Sequence, residues 1–168
     1  WLLEAESANP GSTVLAGVHL QMADGWHAYW RNSGDSGLPI TVEWQLPPGL
    51  VAGEIQWPVP AKLTESDLVT YIYDREVVLL VPLHLTNTMA AGRLRLAARI
   101  SWLECKANCV PGEAQIESAL TVDRAVRASA DAALIETWKK RLPRRIPDLP
   151  IKARWDGAAE GTVRRFVI

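Results

Sequence analysis

An all-β, antiparallel sandwich is the fold class this sequence predicts, and two observations carry the prediction. Seven or eight short segments alternate apolar and polar residues, with Gly, Pro, Asn or Asp between them. No stretch takes up the 3.6-residue period of an amphipathic helix before residue 130.

The segments follow in order. Thr13 to Met22 puts Val14, Ala16, Val18, Leu20 and Met22 on one face, with His19 and Gln21 on the other. That is the pattern of a half-buried strand, with His19 expected on its solvated side. Ala23-Asp24-Gly25 is a turn. Trp26 to Trp30 reads W-H-A-Y-W, with both tryptophans on one face and His27 and Tyr29 on the other. Tryptophans filling a sandwich core are the expectation; an exposed pair would suit stacking on sugars. Arg31 to Pro39 is a loop rich in Gly, Ser and Asn. Ile40 to Leu46 turns Ile40, Val42, Trp44 and Leu46 inward, and Pro47-Pro48-Gly49 ends it. Leu50 to Trp57 is a further strand, stopped by Pro58 and Pro60.

Lys62 to Asp67 is polar. Leu68 to Tyr73 carries Tyr71 and Tyr73 ahead of a turn at Asp74-Arg75-Glu76. Val77 to Leu85 is nearly continuous apolar sequence, as a strand covered on both faces would be. Pro82 within it predicts an edge or a bulge. Arg93 to Leu103 turns Leu94, Leu96, Ala98, Ile100 and Trp102 inward, leaving Arg93, Arg95 and Arg99 as a solvated row. Ala114, Ile116, Ser118, Leu120 and Val122 alternate on a returning strand.

The period changes at Asp123. Ser129 suits an N-cap and Asp131 the first turn of a helix over Ala130 to Leu142. Leu134 and Trp138 share its apolar face, Lys139, Lys140 and Arg141 suit its C-terminal end, and Pro143 stops it. Ile151 to Asp156 and Thr162 to Ile168 read as two strands around Gly157–Gly161. The predicted organisation is an immunoglobulin-like sandwich over 1–123, a helical linker over 124–150, and a β-hairpin over 151–168 that either packs on the first domain or opens a second one.

Composition narrows the function. The chain has 168 residues and a net charge of −1, so nothing in it makes an electrostatic case for nucleic acid. No apolar run approaches the roughly 18 residues that a spanning helix needs. The start at Trp1, without Met, leads us to expect a processed or excised piece. Eight tryptophans stand against one phenylalanine, which points to aromatic packing or a binding face.

Both cysteines, Cys105 and Cys109, lie in one stretch, S-W-L-E-C-K-A-N-C-V-P-G (Ser101–Gly112). On an extended strand, residues i and i+4 are about 13 Å apart. A disulfide needs Cα atoms about 4.4–6.8 Å apart, so the chain must fold back between the two or coil into a helical turn. A strand, a K-A-N loop with Asn108 at positive φ, and a second strand make that hairpin. Pro111 removes a ladder donor beside Cys109, which reads as a rim of the sandwich. As a staple, a five-residue ring removes only about 2 kcal/mol of chain entropy. That favours a pair cycling between dithiol and disulfide. Two other classes stand beside it. One is a non-catalytic interaction module whose disulfide is structural. The other is a Cu(I) site built from both cysteines with Met22, Met89 or one of His19, His27 and His84. No Met-rich or His-rich run supports the latter, and neither a metal nor an organic cofactor is expected.

Four stretches together carry a resemblance. W-H-A-Y-W-R-N-S-G-D-S-G-L-P (Trp26–Pro39), G-E-I-Q-W-P (Gly53–Pro58), E-V-V-L-L-V-P-L (Glu76–Leu83) and the cysteine segment resemble the N-terminal periplasmic domain of DsbD-type thiol–disulfide interchange proteins. The nearer match is the ScsB-like branch, associated with bacterial copper tolerance, and it covers about residues 10–122. The resemblance implies an immunoglobulin-like periplasmic domain acting as the protein-disulfide reductase component of a longer membrane protein. Its cysteines would receive electrons from cytoplasmic thioredoxin through that protein's membrane domain and its C-terminal thioredoxin-like domain. They would pass them to periplasmic thioredoxin-fold proteins. By resemblance, Cys109 forms the mixed disulfide and Cys105 resolves it. The C-x₃-C spacing is narrower than in the best-known DsbD domains. Tyr71 and Tyr73 occupy the segment of the family's cap loop and are nominated to shield the pair. Glu104, Lys106, Glu65 and Asp67 are nominated to tune it, a cation favouring the thiolate and a carboxylate opposing it. The second sandwich-like domain of ScsB-like members would account for residues 151–168.

Overall fold

The longest alternating runs form the centre of the molecule. The structure, a computed structural model, describes residues 1–144, 150, 152–160 and 163–167, with backbone alone for 157–160 and 163–167. Residues 145–149 of the expected linker, and 151, 161, 162 and 168 of the expected hairpin, lie outside the described residues. The strands are β1 (Leu2–Leu3), β2 (Ala5–Ala8), β3 (Thr13–Gln21), β4 (His27–Gly34), β5 (Thr41–Gln45), β6 (Leu50–Ala52) and β7 (Ala61–Glu65). They continue as β8 (Leu68–Asp74), β9 (Glu76–Leu85), β10 (Gly92–Cys105), β11 (Cys109–Val122) and β12 (Arg127–Ala128). The helix α1 (Ala132–Lys139) follows, then β13 (Arg154–Glu160) and β14 (Val163–Val167).

Two sheets face each other as an immunoglobulin-like sandwich. One has the order β1-β3-β9-β6, the other β12-β2-β11-β10-β4-β8-β7, with β5 also paired to β10. The pairing is antiparallel except where β2 lies beside β11. Among the described residues, β13 and β14 form a separate two-stranded sheet. Alternation supplies the core as predicted. Val14, Ala16, Val18 and Leu20 of β3 bury with Leu96, Ala98 and Ile100 of β10 and with Leu120 and Val122 of β11. The arginine row is exposed, and Arg95 and Arg99 reach across to Glu117 and Glu113 of β11.

The segment expected as a linker is fastened to the sandwich. Ile135 and Trp138 are buried in the main core, on β1, β3 and β9. Asp131 accepts the Leu3 N–H at 3.3 Å, and Ser129 Oγ donates to the Leu3 carbonyl. At the other end, the Val59 N–H donates to the Arg141 carbonyl at 3.0 Å. The helix therefore covers the outer side of the smaller sheet, and that is why Val77 to Val81 are buried without alternation. His19 is half-buried, 3.2 Å from Glu76, where a solvated residue was expected. The helix is shorter than predicted: it runs only from Ala132 to Lys139 and its N-cap position is Asp131, not Ser129, which donates to the Leu3 carbonyl and accepts the Asp131 N–H.

Pro82 is on an interior strand, not at an edge. Its carbonyl accepts from Gly53 on the β6 side at 2.7 Å, and its missing N–H points the same way. β6 has already ended at Ala52, so the β3–β9 ladder loses nothing. β1, β2, β7 and β12 were not foreseen, and the expected strand over Leu50–Trp57 keeps only its first three residues as β6.

The buried helix face makes a stability prediction. Trp138→Ala should cost about 3–5 kcal/mol in urea unfolding, while Lys140→Ala should stay within about 0.5 kcal/mol. Equal, negligible effects would return the helix to the status of a linker.

Candidate redox site

β10 and β11 keep one register from Gly92 opposite Val122 to Cys105 opposite Cys109. The cysteines are thus the last pair of a fourteen-rung ladder. They are joined as a disulfide with Cα atoms 4.1 Å apart, and the chain folds back between them as a hairpin. The three-residue loop closes on itself, the Lys106 N–H donating to the Asn108 carbonyl at 3.1 Å. Asn108 does not take the positive φ expected of it; among the described non-glycine residues only Ser66 and Arg75 do. Lys106 Nζ donates to the Asp24 carbonyl at 3.1 Å and ties the loop to the β3–β4 turn.

Alternation decides which face carries the pair. Ala98, Ile100 and Trp102 turn toward the core, so Arg99, Leu103 and Cys105 turn away from it. At this end β4 joins β10, setting Ala28 beside Glu104 and His27 beside Cys105. β8 then sets Asp74 beside His27 and Ile72 beside Tyr29. β7 contributes Leu63 and Glu65 to the same face. The outer face is therefore covered here, where it is solvated further along. Cys105, only 3% exposed, forms a small second core with Tyr29, Ile72, Leu63 and Leu103. The loop after β4 closes over it. Gly37, at φ +93°, lies so close to the Tyr29 ring that an added Cβ would come within 2.2 Å. Cys109, at the other end of the same bond, is exposed. One cysteine of the pair is exposed and the other is enclosed.

His27 is buried beside this pair. Its ring stands edge-on to Tyr29 at 5.3 Å between centroids, and Nε2 is 3.4 Å from the Tyr29 hydroxyl. Burial holds the imidazole pKa below its usual value, against the opposing pull of Glu65 and Asp74. The Tyr29 phenol is pushed up by burial, with Glu65 adding to it.

The residues nominated from sequence are dispersed by this geometry. Glu65 faces the site, through His27 and Tyr29. Lys106 is spent on the Asp24 carbonyl, and Asp67 is exposed in the β7–β8 turn. Glu104 is on the inward face, lining a cavity of about 260 Å³ with Met22, Trp102 and Ile116. Tyr71 and Tyr73 also require correction as shielding residues. They flank Ile72 in β8, so they turn to the side of the sheet opposite the disulfide. Tyr71 meets Trp30 edge-on at 5.9 Å, and the buried Tyr73 hydroxyl donates to the Pro58 carbonyl at 2.8 Å. Tyr29 is the tyrosine that packs on Cys105.

Sequence reasoning left Tyr29 and Asp74 out of the site and named His27 only among possible metal ligands. The W-H-A-Y-W alternation did put His27 and Tyr29 on one face. It did not say that β7 and β8 would cover that face, and Trp26 and Trp30 are the half-buried pair. Among the described residues, no three His, Cys, Asp or Glu side chains are grouped to hold a metal ion. Met89 follows β9 at the far end of β10, about 40 Å along the sheet from the cysteines.

Burial of one cysteine and exposure of the other set an order of reactivity. In the reduced protein, a limiting alkylating reagent should modify Cys109 ahead of Cys105, as read by peptide mass mapping. Tyr29→Ala should narrow that difference and Tyr73→Phe should leave it unchanged. The opposite pattern would restore the cap to β8.

Comparison with known proteins agrees with this geometry. The family model described as "Thiol:disulfide interchange protein DsbD, N-terminal" matches residues 2–121. No curated protein matches the chain. The crystal structure of the N-terminal periplasmic domain of ScsB from Proteus mirabilis matches with a TM-score of 0.60 at 21% identity, which shows a shared fold. The match covers 92% of this chain and 57% of that one, so the chain spans little more than half of its relative. With 120 contiguous residues under the family model and a cysteine pair closed at the hairpin end, the chain belongs to the family of DsbD N-terminal domains.

Proposed function

We propose that this chain is the periplasmic exchange domain of a membrane-bound thiol–disulfide relay. It takes two electrons from a thioredoxin-like donor domain of the same protein, supplied through a membrane domain, and hands them to oxidised thioredoxin-fold proteins. It is a protein-disulfide reductase component that works without an organic cofactor. The observation that carries this reading is the asymmetry of the disulfide-bonded pair, in which Cys109 is an exposed residue and Cys105 a buried one.

Thiol–disulfide exchange proceeds by in-line attack of a thiolate on one sulfur of a disulfide. A donor thiolate arriving from solvent reaches Cys109 and displaces Cys105. In the forward direction the Cys109 thiolate attacks the partner's disulfide and joins it covalently. Cys105, held beside it, then attacks the Cys109 sulfur, reforms the ring and releases the reduced partner. The short ring keeps the second thiol within reach throughout, which limits the lifetime of the mixed disulfide. Beside the pair, an open groove of about 570 Å³ runs past Leu103, Pro111, Leu38 and Pro39 and offers apolar surface to an approaching partner.

The test is to mix single-cysteine variants with an oxidised thioredoxin-fold protein and separate the products on a non-reducing gel. Cys105→Ser should accumulate a covalent complex, because it removes the resolving thiol, and Cys109→Ser should give none. A complex formed only by Cys109→Ser would reverse the roles. No complex with either variant, across several thioredoxin-fold partners, would favour a structural disulfide.

A further inference from the structure

We propose that His27 is the base that takes the proton from Cys105 when that thiol closes the ring. The inference rests on the relay reading above and adds a residue to it. Its starting point is a difficulty created by the fold. Cys105 must become a thiolate to displace the partner, yet it is 3% exposed and packed against Tyr29, Ile72, Leu63 and Leu103. An apolar enclosure disfavours the thiolate and keeps water from taking the proton. A base inside the enclosure removes the difficulty.

His27 is placed for it. It is the cross-strand neighbour of Cys105 on β4, on the same face of the sheet, which sets the two Cβ atoms about 4.5–5.5 Å apart. The charged and titratable groups that face it come from each neighbouring element: Glu65 from β7, Asp74 from β8, Tyr29 from its own strand, and the cysteines from β10 and β11. Tyr29 is a phenol that holds its proton more tightly than usual, so it is no base. Lys106 is a cation turned to the Asp24 carbonyl, and Glu104 faces the inward cavity. Glu65 and Asp74 do not abut Cys105 on its ladder, but they stabilise a charge on His27. The imidazole is therefore neutral at rest, and its protonated form has two carboxylates to lean on. The tautomer required is the one in which Nε2–H donates to the Tyr29 hydroxyl, leaving the lone pair on Nδ1.

The step balances as follows. Cys109 thiolate attacks the partner disulfide; a Cys109–partner bond forms, the partner's own S–S bond breaks, and its second sulfur leaves as a thiolate. Cys105 then gives its proton to His27 and attacks the Cys109 sulfur. The Cys105–Cys109 bond forms, the mixed bond breaks, and the partner's first sulfur leaves as a thiolate that takes the proton from His27. Two electrons move from the domain's dithiol to the partner's disulfide.

The experiment uses the reduced chain and an aromatic disulfide, 5,5′-dithiobis(2-nitrobenzoate), whose released thiolate is coloured. Stopped-flow mixing resolves a first release, from Cys109 attack, and a second, from ring closure by Cys105. The second phase should rise with pH through the His27 pKa, measured independently by imidazole NMR titration of the wild-type protein, and then level off. His27→Gln should slow that phase at neutral pH at least about a hundredfold, the lower end of general-base contributions, and should remove the inflection. A second phase unchanged in rate and pH profile would overturn the role of His27 while leaving the relay intact. So would a wild-type inflection that does not coincide with the His27 titration, a result that needs no variant to fold. A wild-type pair that shows neither phase overturns the relay and this inference together.

Discussion

The register of one hairpin governs the rest of the molecule. β10 and β11 stay in step over fourteen pairs, and only because they do is the last pair Cys105 with Cys109. A slip of one residue would separate the sulfurs and would also move Leu96, Ala98 and Ile100 from the core to solvent. The burial of those three side chains, with Leu120 and Val122 opposite, therefore holds the cysteines in place from some distance away. Gly112 belongs to the same constraint. The Trp102 ring lies across it so closely that a Cβ would come within 2.3 Å, so this rung accepts no larger residue without moving the indole.

From the register follows the face, and from the face follows the chemistry. The cysteines are on the side of the larger sheet turned away from the main core. On most of that side the sheet meets water, as Arg95 and Arg99 show. At the rim, β4, β7 and β8 extend the sheet and bring their own apolar side chains, so the outer face acquires a small second core. Cys105 is inside that core and Cys109 is just beyond its edge. A redox pair needs this inequality, because one thiol must meet a partner and the other must wait. The helix on the opposite sheet has a separate task. It closes the far side of β9, and with Trp138 and Ile135 it makes the sandwich three layers deep at that point.

Much of this was legible in the sequence, for reasons that can be named. Long alternating runs such as Thr13–Gln21 and Gly92–Cys105 carry enough repeats for the two-residue period to stand out. The C-x₃-C spacing allowed a reversal or a helical turn, and the alternating runs on either side of it favoured the reversal. Short strands were not legible, since two to four residues such as Leu2–Leu3 or Ala5–Ala8 cannot show a period. Nor was the helix's packing, because an apolar stripe says that something is covered without saying what. Pro82 was misjudged for a related reason: a missing donor is harmless wherever the neighbouring strand has stopped, and only topology reveals that. The tyrosines of β8 show the same limit. Tyr71 and Tyr73 sit one residue either side of Ile72, and it is Ile72 that reaches the cysteine core. The segment reaches the cysteine core through one residue only, and the parity of that residue required the pairing partners.

The reduction potential of the Cys105–Cys109 couple separates a carrier from a staple more directly than any other single value. It is obtained by equilibrating the chain with glutathione redox buffers and quantifying free thiols. A carrier that exchanges electrons with thioredoxin-fold proteins should lie among them, between about −270 and −180 mV. A value below about −300 mV, the range of disulfides that serve only structure, would contradict the exchange role.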